Sequence, residues 1–194
     1  MLLDILKKFN WIDFLVIIIL FRTCSIAFKN GLVIEFFKTL GTVSAIYLSL
    51  HYYTRLSDFL IKRFGLSSIP LMFFDFILFM FLVILTYLIF VGLREVFSKF
   101  IQMEAVPQLN QWGGFILGLT RGFFLVGLVV FALVISNTSY LEKSVSDSYL
   151  GKRLIEVAPT TYSALWNGFF SKFMTKESFN DAVLEAKSPD SLQQ

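Results

Sequence analysis

Side chains that carry chemistry are scarce in this sequence: 194 residues include one histidine, His51, and one cysteine, Cys24. A lone cysteine excludes a disulfide or a thiolate cluster within one chain and reads as a small apolar helix residue. A lone histidine beside an apolar run reads as structural. No H-E-x-x-H, P-loop or G-x-S-x-G pattern occurs. No catalytic, cofactor-binding or metal-ligating residue is therefore expected, and the chain is expected not to be an enzyme. Charge is scarce as well, at 16% of residues where soluble domains carry about 25%. That is too little to cover a water-facing surface. The net charge of +3 is scattered without a basic stripe, so nucleic acid is not an expected partner. Neither a lipoprotein signal nor a cleaved signal peptide is expected. "LFRTC" sets Phe21 and Arg22 where a lipoprotein signal needs small residues, and Asp13 interrupts the first apolar run, with no A-x-A-like site after it.

What the sequence does have is apolar length. Hydrophobic residues make up 56%, with 24 phenylalanines. A helix needs about 20 mostly apolar residues to cross a bilayer, and four stretches qualify: 11–28, 32–53, 71–93 and 112–136. The expected fold is an all-α integral membrane protein, a four-transmembrane-helix bundle over 1–136 with a soluble tail over 137–194. Trp11, Tyr52, Tyr53 and Trp112 sit where an aromatic belt belongs. "KNG" (29–31) is short enough only for a tight turn. The stretch 56–68 extends the second helix toward a Gly-Leu-Ser-Ser loop. Val96, Phe97, Phe100, Ile101 and Met103 suggest a surface helix ending near Pro107.

In the tail, "PTTYSALWNGFFSKFM" (159–174) places Tyr162, Trp166, Phe169, Phe170 and Phe173 on one helical face. The expectation is an amphipathic helix lying on the lipid bilayer; the alternative is that the same face packs on the protein's own loops. From Thr175 onward the chain is polar and is expected to be disordered.

An even number of spans puts both termini on one face, side A. Side A collects Lys7, Lys8, Arg55, Lys62, Arg63, Lys143, Lys152 and Arg153; side B has Lys29, Arg94 and Lys99, with Lys38 nearby. Positive residues concentrate on the cytoplasmic face, so both termini are expected inside.

Charges within the spans need partners, since a central Arg costs about 2.5–3.5 kcal/mol on insertion scales. At 1.5 Å per residue Arg121 lies about 13 Å from side B, Arg22 at a similar depth, and Glu35 about 5 Å below the same face. Asp13, Asp75 and His51 fall near side A. Glu35 is thus the expected partner for Arg121 or Arg22. Gly114, Gly118 and Gly122 form a groove on the fourth helix, and Gly41, Ala45 and Ser49 a small-residue face on the second. Small faces let helices approach closely, so the second and fourth helices are expected to meet there. Two roles stay open for the charges: a salt bridge that fixes helix register, or a polar path for a solute or ion. Four helices leave little room for a path, so conduction would require a homo-oligomer.

Taken together, "WIDFLV" (11–16), "NGLVIEFFKTLG" (30–41), "HYYTRLSDFL" (51–60) and "GGFILGLTRGFFL" (113–125) resemble the bacterial colicin V production protein family, in residues and in order. The resemblance covers about 10–136, with a looser echo at 162–173. Asp13, Gly31, Glu35, Gly114, Gly118, Arg121 and Gly122 are its matching positions. It departs at Asn30, where the family tends to place Arg, and at Asn110 and Gln111, where the family tends to place an acidic-basic pair. The resemblance implies a multi-pass protein of the bacterial inner membrane that supports toxin production or export and envelope homeostasis. Its implied partners are other membrane or secretion proteins.

Overall fold

The structure, a computed structural model, describes residues 9–65, 70–100 and 107–186. The early lysines, the loop after Gly65, Ile101 and Met103, and the chain end 187–194 lie outside the described residues. The described chain is all helical apart from turns and connections. Four helices are long and apolar enough to cross a membrane: α1 (Trp11–Asn30), α2 (Leu32–Phe64), α3 (Leu71–Phe100) and α4 (Pro107–Ile135). The 20 residues of α1 give about 30 Å, one hydrocarbon thickness, whereas the 33 residues of α2 give about 50 Å and reach well beyond it. Helix α3 runs unbroken to Phe100, and α4 opens at Pro107, earlier than its apolar run. Proline suits a first helical turn, where its missing N–H has no partner to lose.

Helices α2 and α4 form the middle of the bundle: α1 packs mainly on α4, and α3 mainly on α2. Helix α4 is the most buried span and α3 the least. The α1–α2 corner is a single residue, Gly31, at φ 79°, a backbone that glycine adopts without penalty. A Cβ there would also overlap the side-chain amide of Asn110. The Asn110 Oδ1 accepts from the Leu32 N–H at 2.7 Å, holding the corner against α4.

The glycine faces meet other partners than the sequence suggests. A Cβ on Gly114 would lie 2.8 Å from the Ala27 carbonyl oxygen and 2.8 Å from the carbonyl carbon of Gly31. One on Gly118 would overlap Ala27, and one on Gly122 would lie 3.0 Å from Leu20. The groove of α4 therefore receives α1, not α2. On α2, Gly41 faces Phe90 of α3, and Ala45 joins the core. The reason is length and shape. A short α1 offers Thr23, Ala27 and Gly31 at four-residue spacing, a small face that matches the groove.

The tail is not a separate appendage. After α4 come α5 (Ser139–Asp147), α6 (Gly151–Leu154) and α7 (Val157–Leu165), a π-helical turn (Trp166–Phe170), α8 (Ser171–Phe173) and α9 (Ala182–Glu185). Val145, Leu154 and Ile155 pack with Ile12, Val16, Val126, Val130 and Val134. Ala158, Tyr162, Trp166 and Val183 share a core with Ala45, Ile46, Leu50, Tyr53, Phe79 and Phe131.

The expected interfacial helix is corrected accordingly. Tyr162 and Trp166 are buried against the protein, Phe170 is partly buried, and Phe169 and Phe173 remain exposed. An aromatic ring gains apolar surroundings from lipid or from protein. The protein adds partners for the Tyr162 hydroxyl, which would go unmet in hydrocarbon. The expectation of disorder from Thr175 is corrected as well: residues 175–186 carry α9, a buried Asn180 and a buried Val183.

Candidate functional site

Two polar clusters stand at opposite ends of the bundle. The first is the buried charge inside the spans. Glu35 is fully buried in the first turn of α2, where its carboxylate suits the helix N-terminus. Its Oε2 accepts from Arg121 Nε of α4 at 2.9 Å. Its Oε1 accepts from Lys38 Nζ at 3.2 Å and from Asn30 Nδ2 at 2.6 Å. The sequence expectation for Glu35 and Arg121 is met, although the seam that unites them is not the glycine groove. Arg22 does not join them: it is exposed, and it has no ion pair among the described residues. It lines an adjacent cavity of about 310 Å³ together with Lys38 and Arg121.

Asn30 and Asn110 both serve this corner. Asn30 donates to Glu35, and Asn110 accepts from the backbone of Leu32.

The second cluster holds the tail, on side A. Asp13, also fully buried, is the third residue of α1 and closes a capping box with Asn10. Its carboxylate accepts from the Asn10 N–H at 2.8 Å, the Ser148 hydroxyl at 2.8 Å and the Leu150 N–H at 2.7 Å. One carboxylate therefore caps α1 and fixes the turn before α6. Asn10 adds a 2.6 Å bond from Nδ2 to the Ser144 carbonyl.

His51 is fully buried on α2 and meets the tail by ring and by nitrogen. Trp166 stacks on it with centroids 5.0 Å apart, and one turn away Phe170 stacks on Tyr47 at 3.8 Å. His51 and Tyr47 are four residues apart on α2, and Trp166 and Phe170 are four apart on the tail, so two helical repeats run in register. The backbone N–H of Asn180 donates to the Tyr162 oxygen at 3.0 Å, and that hydroxyl lies 2.8 Å from His51 Nδ1. Burial pushes the Tyr162 phenol up, which keeps its proton in place to donate. Nδ1 then accepts, and Nε2–H faces the Glu177 carboxylate, the tautomer in which every group is satisfied.

Arg55 completes the clasp. It donates to Glu177 Oε2 at 3.0 Å and to the Ser178 carbonyl, while Asn180 Nδ2 reaches the Leu50 carbonyl at 2.6 Å. The carboxyl of Glu177 is held below its usual range, chiefly by the hydrogen bond from His51 and then by the neighbouring charges. Sequence reasoning missed this clasp. Its signal was the i, i+4 pair His51 and Arg55 beside "HYY", facing Glu177 in a segment read as disordered.

A model of the colicin V production protein family matches residues 12–159. The chain belongs to that family. The match spans the four membrane helices, α5, α6 and the first turn of α7, and it includes Asp13, Gly31, Glu35, the α4 glycines and Arg121. It ends before the π-helical turn and the Glu177 segment, so most of the His51 clasp lies beyond the shared region. No curated protein and no solved structure matches the chain significantly. With four membrane-competent helices, this family member is a multi-pass membrane protein.

Proposed function

We propose that this colicin V production family member is a non-enzymatic protein of the bacterial inner membrane. On this reading both termini face the cytoplasm, and the protein supports toxin production or export, or envelope homeostasis, through protein partners. The observation that carries the reading is the use of the buried polar groups. Glu35, Arg121, Lys38 and Asn30 close on one another, and Asp13 closes on backbone N–H groups. Each cluster joins separate elements of the fold, which is the work of a scaffold. The orientation rests on the cations of the α2 end and the tail, which share one face with the start of α1.

The test replaces the ion pair by apolar residues of similar size, Glu35→Leu with Arg121→Met, in a strain lacking the gene. Replacing both partners of a buried pair is often neutral or stabilising, whereas removing one is costly. The expected outcome is normal membrane accumulation and rescue of the strain's envelope phenotype by the double variant. A double variant that accumulates but does not rescue would give charge at this depth a direct task. The reading as an oligomeric channel or small transporter would then replace this one, and purified protein in liposomes should pass a solute.

A further inference from the structure

The cavity beside the ion pair is unbalanced in charge. Arg22 and Thr23 of α1, Lys38 of α2, Tyr87 of α3 and Arg121 of α4 all line it, so every span contributes. Three cations border it. Among the described residues, Glu35 is the one carboxylate that pairs with any of them, which leaves two positive charges over. Arg22 is the exposed member and has no ion pair among the described residues. It stands eight residues before the end of α1, about 12 Å below side B.

An unpaired guanidinium at that depth either reaches for the interface or draws an anion to itself. Hydrocarbon supplies no anion, but lipid headgroups carry one. A guanidinium fork matches phosphate oxygens in pairs, and the Lys38 ammonium adds a point charge. Thr23 and Tyr87, two hydroxyl-bearing residues, stand in the same wall. A volume of about 310 Å³ lies at the small end of ligand pockets, about 300–1,000 Å³, which suits a headgroup better than a whole lipid. Basic pockets between spans bind acidic headgroups on the cytoplasmic side of membranes; this one, nearer side B, is the counterpart at the opposite face.

We propose that this four-helix cleft binds a phosphate group presented by an anionic phospholipid, with Arg22 gripping it and Lys38 and Arg121 closing around it. The site is independent of any protein partner of the loops or tail.

The test uses the full chain in an uncharged detergent, with the thermal unfolding midpoint followed at fixed ionic strength. Short-chain phosphatidylglycerol, phosphatidylcholine of the same chain length and inorganic phosphate are titrated separately. Phosphatidylglycerol should raise the midpoint at concentrations at least tenfold lower than phosphatidylcholine, and inorganic phosphate should leave it unchanged. Arg22→Gln should weaken phosphatidylglycerol at least tenfold, with Arg22→Lys recovering part of the loss. Lys38→Gln should weaken it less, and provides the test if Arg22→Gln fails to fold. The double control Lys62→Gln with Arg63→Gln, at the exposed far end of α2, should bind normally. Unchanged binding in Arg22→Gln, or an equal loss in the control, would overturn the site. Equal stabilisation by inorganic phosphate would overturn the lipid as its source.

Discussion

The two polar clusters hold this protein together by different physics. At the side-B end, Glu35, Arg121 and Lys38 meet as full charges between helices, within the spans. At the side-A end, Asp13 and His51 bind backbone N–H groups, hydroxyls and one carboxylate of tail residues more than 100 positions along the chain. A charge in hydrocarbon has few places to go, so its partner is nearly forced. A hydrogen-bonding group at the interface can choose water, headgroup or protein. Its partner is chosen only when folding delivers one.

That contrast can be broken from either side. The largest effect is expected from Glu35→Ala, which strands Arg121 and Lys38 together. Removing one partner of a buried pair costs about 3–5 kcal/mol, and membrane accumulation should collapse in a quantitative blot. Normal accumulation would mean that water or lipid already satisfies Arg121. Next comes Asp13→Ala, expected to cost about 3 kcal/mol, the upper end for hydrogen bonds to a charged group. Thermal unfolding in detergent reads the loss. Asp13→Asn should recover only part of it, because an amide offers one acceptor oxygen where Ser148, Leu150 and Asn10 converge on two.

A smaller and more local effect is expected from Glu177→Gln, about 1–2 kcal/mol for weakened charge-assisted bonds. Proteolysis within 174–186 should quicken while the spans accumulate normally. The same clasp should respond to pH. The Glu177 carboxyl titrates lower in the folded chain than in the unfolded one. Its stabilisation is therefore fully present above the usual glutamate range and fades as the pH falls through the lowered native value. Faster cleavage of the tail in acid, absent in Glu177→Gln, is the expected signature. The smallest effect is expected from Gly168→Ala, where a Cβ meets open space. Helix propensity then favours alanine by about 0.5–1 kcal/mol, visible as a slight rise in the unfolding midpoint.

The sequence by itself determined the spans, because apolar length and the lack of charge admit few other folds. It also determined that Glu35 is the carboxylate for a buried arginine, because depth along the helices can be counted; that the arginine is Arg121 and not Arg22 was decided by packing. It did not determine which helix fills the α4 groove. Small residues at four-residue spacing occur on both α1 and α2, and only packing distinguishes them. Nor did it determine the fate of the tail. The apolar face of 159–174 suits a bilayer or a protein equally well by composition. The structure decides for the protein because Tyr47 and His51 present flat rings in register with Trp166 and Phe170. The polar stretch after Thr175 is ordered for a related reason: Glu177 and Asn180 find partners on α2 that no local pattern in the chain announces. Local periodicity fixes what a segment can bury; only the tertiary fold fixes against what, since the partner's position depends on the path of every helix between.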